Sequence, residues 1–257
     1  MINFKNITVE FGGLKAVDQT SFEIAGGRIT GLIGPNGAGK TTAFNVIAGL
    51  VKPNSGTVTL DDDDITALKP HQRSVLGLAR TFQIAHEFSR LTVVENLMAA
   101  AASPIGENLF NVVFRRHMFK SEEREHYAFA VETIKLLELD HVRNEKAGNL
   151  SGGQKKLVEL GRALMCKPKI ILLDEIGAGI NRTLLAKLAD KIKLLNQERG
   201  LTFCLIEHDL DYVSKLCDHV LVMAQGRLLT QGTVDQVRRD ERVIEAYFGG
   251  GKYEAHR

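Results

Sequence analysis

Apolar and polar residues alternate over Ile2–Phe11, and short apolar-rich runs recur at Thr20–Ile24, Arg28–Ile33 and Gly56–Leu60. Set between the turn signals Gly26-Gly27 and Asn54-Ser55-Gly56, these runs predict strands. Gly39–Leu50 follows a Gly-rich loop and predicts a helix closed by Gly49. From about residue 84 to 150 the period lengthens. Thr92–Ala102 and Ser121–Leu139 predict helices, the second with Phe129, Thr133, Leu136 and Leu137 on one face. Beyond 150, helices predicted at Ser151–Met165, Thr183–Arg199 and Asp209–Leu216 alternate with strands at Ile170–Leu173, Thr202–Ile206 and His219–Met223. Gly226 and Gly232 punctuate a last hairpin, Thr233–Phe248 reads as a terminal helix, and the tail after Gly249 reads as disordered.

Short apolar strands alternating with helices predict an α/β fold around a mostly parallel sheet covered on both faces. A length of 257 residues suits one large domain, 1–257, with a helical lobe at roughly 84–165. Composition adds little beyond exclusions. With 44% hydrophobic and 25% charged residues the chain is expected to be soluble and globular, and a net charge of +2 gives no bulk attraction to nucleic acid or an anionic membrane. No segment approaches the roughly 18 apolar residues of a membrane span, and the charged, alternating N-terminus does not read as a signal peptide. Cys166, Cys204 and Cys217 lack metal-site spacing and are expected to be reduced thiols.

The candidate chemistry begins at Gly34-Pro35-Asn36-Gly37-Ala38-Gly39-Lys40-Thr41, which fits G-x-x-x-x-G-K-[ST] between an apolar strand and a helix. Glycines let backbone N–H groups wrap phosphate oxygens, and the helix start adds favourable partial charge. Lys40 would reach the β- and γ-phosphates of ATP, and the Thr41 hydroxyl would ligate Mg2+. Ile170–Leu173 ends in Asp174, placed for the Mg2+ shell, and Glu175 follows where a carboxylate can polarise an attacking water.

Leu150-Ser151-Gly152-Gly153-Gln154 offers a hydroxyl and bare N–H groups at a second helix start. Lying between the phosphate loop and the Asp174 strand, it closely resembles the signature of ABC ATPases, and the resemblance covers nearly the whole chain. It implies a P-loop NTPase core with an N-terminal antiparallel β subdomain and an α-helical subdomain. It further implies that Phe11 stacks on adenine with Val17 nearby, that Gln83 touches Mg2+ and water, and that His208 contacts the γ-phosphate. Each nucleotide would then lie between Gly34–Thr42, Gln83, Asp174, Glu175 and His208 of one subunit and Ser151–Gln154 of another. Two departures stand out: Ile176 replaces the usual Pro after the catalytic Glu, and Asn181 replaces the usual Asp of the dimer-contact loop.

Phe11–Val17, Ala79–Gln83 and Val243–Gly249 narrow the resemblance to the ATPase subunits of branched-chain amino-acid importers. Membership of that group implies a peripheral protein on the cytoplasmic face of the inner membrane. It would work with transmembrane permease subunits, a second ATPase subunit of the same or a sister chain and, indirectly, a solute-binding protein, with no nucleic-acid partner. An ABC ATPase outside transport would keep the same motifs. Against that alternative, no coiled coil separates Gly34 from Ser151 and the phosphate loop is single. Two charged runs stay outside this scheme. Asp61–Asp64 reads as a solvated turn without calcium-loop spacing. The basic stretch Asn111–Lys120 reads as a solvated helix face or as a contact with lipid headgroups or a partner.

Overall fold

The first strand, β1 (Ile2–Phe11), breaks its own alternation. Ile2 and Phe4 point inward, then Ile7 and Val9, so Lys5 and Asn6 both face out. Its register against β2 (Leu14–Ile24) shifts between Phe4 and Ile7, and Asn6 takes a left-handed φ of 48°. The bulge keeps the apolar side on the core, and asparagine tolerates that backbone better than most residues.

The computed structural model describes residues 1–81, 87–101, 116–177 and 181–248. They divide into two units, one formed by Met1–Arg80, Ile170–Ile176 and Lys193–Arg257, the other by Thr81–Lys169 and Gly177–Ile192.

The first unit holds two sheets. In one, β2, β1, β4 (Ser55–Leu60) and β5 (Asp63–Asp64) lie in that order, all antiparallel. The other combines β3 (Ile29–Ile33), β6 (Leu78–Arg80), β7 (Ile170–Asp174), β8 (Thr202–Ile206), β9 (His219–Ala224) and β10 (Arg227–Gly232) in the order β10-β9-β3-β8-β7-β6. All its pairs are parallel except β10 on β9. Strands β3, β7 and β8 are buried along their whole length, which accounts for their unbroken apolar runs. The helix Lys40–Ala48 buries Ala43, Phe44, Val46 and Ile47 in one cluster with Leu32, Leu172, Ile206 and Leu221 of the parallel sheet and Phe4, Val9 and Val58 of the antiparallel one. Phe4 and Phe22 stack there at 4.5 Å. This is the α/β architecture expected, with its separate antiparallel sheet.

Several predicted bounds move. The strand predicted from Thr20 starts at Leu14, because pairing with β1 carries it past Gln19, whose φ of 45° interrupts the alternation. The predicted terminal helix is two helices, Val234–Arg238 and Glu241–Phe248. Asp240 divides them: its Oδ1 accepts from the Arg242 N–H at 3.0 Å, so it starts a helix of its own. The helix Pro70–Val75 and strand β6 are elements that the sequence pattern does not announce.

The second unit is helical: Val93–Met98, Arg116–Leu136, Gly152–Met165 and the N-terminal part of Arg182–Arg199. The predicted helix from Thr92 stops at Met98, and Thr92 and Glu95 cap its start reciprocally. Along the long helix and just past its end the buried line is Ala130, Thr133, Ile134 and Leu137, which keeps Thr133 and Leu137 of the predicted face and replaces Phe129 and Leu136, both half-buried, with Ala130 and Ile134. Gly161 lies where a Cβ would come within 3.1 Å of Leu137 and 3.3 Å of Leu97, so the helix crossing is set by the missing side chain. Among the described residues no helix is long and apolar enough to cross a membrane. Residues 111–115 lie outside the described ones.

Candidate functional site

Three neighbouring parallel strands of the first unit end at one edge of the sheet. Strand β3 runs into Gly34–Lys40, β7 into Asp174-Glu175, and β8, which lies between them, into Glu207-His208. The carboxyl ends of parallel strands are where such sheets bind ligands.

The loop after β3 is held by close approaches that only glycine permits. A Cβ on Gly34 (φ 149°) would overlap the Met223 carbonyl oxygen, and one on Gly39 (φ 96°) would overlap that of Ala16. The Ala38 carbonyl accepts from the Gly226 N–H at 3.1 Å, which ties the loop to the β9–β10 turn. Asn36, Gly37 and Thr41 are exposed, while Pro35, Gly39 and Thr42 are half-buried and Ala38 is buried. The helix Lys40–Ala48 starts at Gly39 with no side-chain cap, so its first N–H groups face outward as donors for an anion. Lys40 is buried, and its Nζ donates to the carbonyls of Gly34 at 2.8 Å and Pro35 at 2.9 Å. Burial pulls its pKa below the ordinary lysine value, and the carboxylates of Glu175 and Asp174 oppose that shift.

Asp174 is buried at the end of β7, where its Oδ2 accepts from Arg80 Nη2 at 2.7 Å. Glu175 takes a left-handed φ of 48°, and its N–H donates to the Ile206 carbonyl at 3.0 Å. Glu175 Oε1 lies 2.8 Å from Nε2 of His208. Phe11 stands at the β1–β2 hairpin, 52% exposed, while Val17 is buried in the core.

In the second unit Ser151 caps the helix Gly152–Met165. Its Oγ accepts from the Gln154 N–H at 3.3 Å, and Gln154 Oε1 accepts from the Ser151 N–H at 3.0 Å. Gly152 is open, whereas Gly153 is covered by Leu184, whose side chain a Cβ there would overlap. Gln154 Nε2 also lies 3.4 Å from His141 Nε2. Gln83 lies outside the described residues.

A family profile described as "ABC transporter" matches residues 17–178, and one described as "Branched-chain amino acid ATP-binding cassette transporter" matches 227–253. The chain belongs to the ABC transporter ATP-binding family. A Pseudomonas aeruginosa relative, the high-affinity branched-chain amino acid transport ATP-binding protein BraF, is 36% identical over 97% of this chain and 98% of its own. The corresponding LivG of Escherichia coli K12 is 37% identical over 97% and 98%. The solved structure of a nucleotide-free ATP-binding cassette from an ABC transporter superimposes with a TM-score of 0.84 at 38% identity, covering 97% of this chain and 99% of that one. A cassette solved in its ADP conformation gives a TM-score of 0.82 at 36% identity, over 97% and 98%.

Both departures of this ABC subunit from the family pattern have a local account. Ile176 is buried, so the apolar volume of the usual Pro is kept without its ring. Asn181 Oδ1 accepts from the Leu184 N–H at 2.9 Å, capping the helix Arg182–Arg199 as an Asp would. Sequence reasoning missed Arg80, Asn45, His141 and Leu184. A charged residue closing the apolar run Leu78-Ala79-Arg80 was the only signal for the first, and the others carry none without their partners.

Proposed function

We propose that this ABC subunit binds and hydrolyses Mg-ATP to drive a membrane permease that imports branched-chain amino acids or related small polar solutes. The observation that carries the chemistry is the 2.8 Å approach of Glu175 Oε1 and His208 Nε2 at the strand edge that also bears the phosphate loop.

Glu175 is the general base, its carboxylate accepting a proton from the attacking water. His208 Nε2–H fixes that carboxylate in the absence of nucleotide and turns to the phosphoryl group when ATP is bound. Lys40 exchanges its loop carbonyls for phosphate oxygens, and Gly34–Thr42 supplies backbone donors. Phe11 offers its exposed ring to the base, beside the β2 segment holding Val17. Thr41 and Asp174 present hydroxyl and carboxylate oxygens, the hard donors that would hold Mg2+. The cation, when bound, neutralises charge on the β- and γ-phosphates. Gln83, assigned to the same metal by the family resemblance, would add an amide oxygen. Ser151, Gly152, Gly153 and Gln154 form the half-site that closes over the nucleotide of a second ATPase subunit, so the working assembly is a dimer beneath two permease subunits.

The cargo reading is supported by the match at residues 227–253 and by the printed names of the relatives. On that reading the subunit sits peripherally at the cytoplasmic face of the membrane. The experiment is reconstitution with the permease that copurifies from gently solubilised membranes. ATP-dependent uptake of radiolabelled leucine, lost in Glu175→Gln, is the expected result. ATPase activity without a membrane partner would instead favour an ABC ATPase outside transport.

A further inference from the structure

The guanidinium of Arg80 joins two parts of the site that the sequence keeps far apart. Nη2 donates to Asp174 Oδ2 at 2.7 Å, and Nη1 donates to Asn45 Oδ1 at 2.5 Å. The side chains of Arg80 and Asp174 are 9% and 6% exposed. Asn45 rides on the helix Lys40–Ala48, which begins with the phosphate-loop lysine. Strand β6, which ends in Arg80, pairs with β7 up to Leu172, so the arginine stands beside the strand end that carries Asp174.

We infer that Arg80 is a positioning residue for the metal half of the site, locking the Asp174 carboxylate to the phosphate-loop helix so that one of its oxygens is kept for the cation. The inference rests on the Mg-ATP reading above. Asp174 is buried, and a partner that only neutralised it would leave its carboxylate free to rotate. A guanidinium is planar and its donors diverge at fixed angles, so anchoring one arm on Asn45 sets where the other meets Asp174. Oδ2 is committed to Arg80, and Oδ1 is the oxygen left to meet a cation or its water. Groups that orient a metal ligand in this way shift metal affinity by roughly 10–100-fold when removed. The same clamp moves Asp174 together with the helix that starts at Lys40 and Thr41, so the two oxygen donors keep their spacing.

The test separates metal affinity from nucleotide affinity. Wild type, Arg80→Ala, Arg80→Lys and Asn45→Ala, each as the full chain, are titrated with the fluorescent analogue mant-ATP, first in EDTA and then at rising Mg2+. In Arg80→Ala the metal-free affinity is expected to stay within about twofold, while the Mg2+ needed for half of the metal-dependent gain rises on the order of tenfold or more. Arg80→Lys should fall between, since an ammonium can hold Asp174 but cannot span to Asn45 with fixed geometry. Asn45→Ala should show a smaller rise of the same kind. An unchanged Mg2+ requirement in Arg80→Ala, or an equal loss with and without metal, overturns the inference. Should Arg80→Ala not fold, Arg80→Lys and Asn45→Ala carry the same comparison. If wild type bound no mant-ATP even with Mg2+, the Mg-ATP reading itself would fall and take this inference with it.

Discussion

His208 Nε2 and Glu175 Oε1 lie 2.8 Å apart although 33 residues separate them, because β7 and β8 are adjacent and parallel and each side chain leaves just beyond its strand's end. The contact gives the glutamate a fixed direction. Glu175→Gln keeps the shape and can still bond the imidazole, but it no longer accepts a proton. Its expected phenotype is ATP affinity near that of wild type and turnover lower by roughly 10²–10⁴-fold. Mant-ATP titration and single-turnover phosphate release measure the two. Turnover within a few-fold of wild type would remove Glu175 from the role of base.

Phe11 leaves half its ring in solvent at the hairpin. A half-exposed aromatic is well suited to lie against a base, and such stacking contributes about 1 kcal/mol. Phe11→Ala should therefore weaken mant-ATP binding about fivefold, and Phe11→Tyr should leave it nearly unchanged. Equal binding in all three proteins would place the base elsewhere.

Arg73 is 1% exposed, yet its guanidinium is matched by carbonyl oxygens: Leu68 at 2.9 Å, Val46 and Ile47 both at 2.6 Å, and Thr66 at 3.0 Å. Two of these close the helix that begins at the phosphate loop, where a cation also suits the negative end of the helix dipole. Arg73→Met fills much of the volume but strands those carbonyls, and a loss of about 3 kcal/mol is expected. Urea unfolding measures it, and a loss under about 1 kcal/mol would mean that water satisfies the carbonyls instead.

Burial pushes the thiols of Cys204 and Cys217 far above the ordinary cysteine range, with Asp218 and Glu207 adding to the shift at Cys217. At pH 7–8 both stay protonated and therefore poorly nucleophilic. Cys166 is half-buried, so Ellman's reagent should label it first in the native protein and reach the other two only on unfolding. Two or more fast-reacting thiols would contradict this. The sign for stability is fixed as well. Unfolded cysteines ionise near pH 8.5 while these two do not, so the unfolded state loses protons first and stability declines as pH rises above about 8.5.

The phosphate loop and Asp174-Glu175 are legible from residues alone, because buried parallel strands are unbroken apolar runs and the chemistry sits just past their ends. Ser151–Gln154 and His208 need the family resemblance, since a capped helix start or a histidine after a strand has many ordinary uses. What stays hidden is non-local. Nothing near Arg80 names Asn45 or Asp174 as its partners, and the two carbonyls at the end of the first helix do not reveal that Arg73 will cover them. The pattern finds Thr133 and Leu137 of the long-helix face but takes Phe129 over Ala130, although the buried line passes through the smaller residue and Ile134. The terminal helix reads as continuous because Asp240 is as plausible inside a polar helix face as at a cap.

The pairing of β6 with β7 has a consequence for how such a chain can change. Leu78 lies opposite Ile170, so the polypeptide leaves the sheet at Arg80 and re-enters it one strand away, about 4.8 Å across. Everything from 81 to 169 is thus a detour whose two ends already meet. Residues can be gained or lost along it, outside Gln83 and Ser151–Gln154, without altering the register of β6 on β7. Length can therefore change within the detour while the strands on either side of it keep their places.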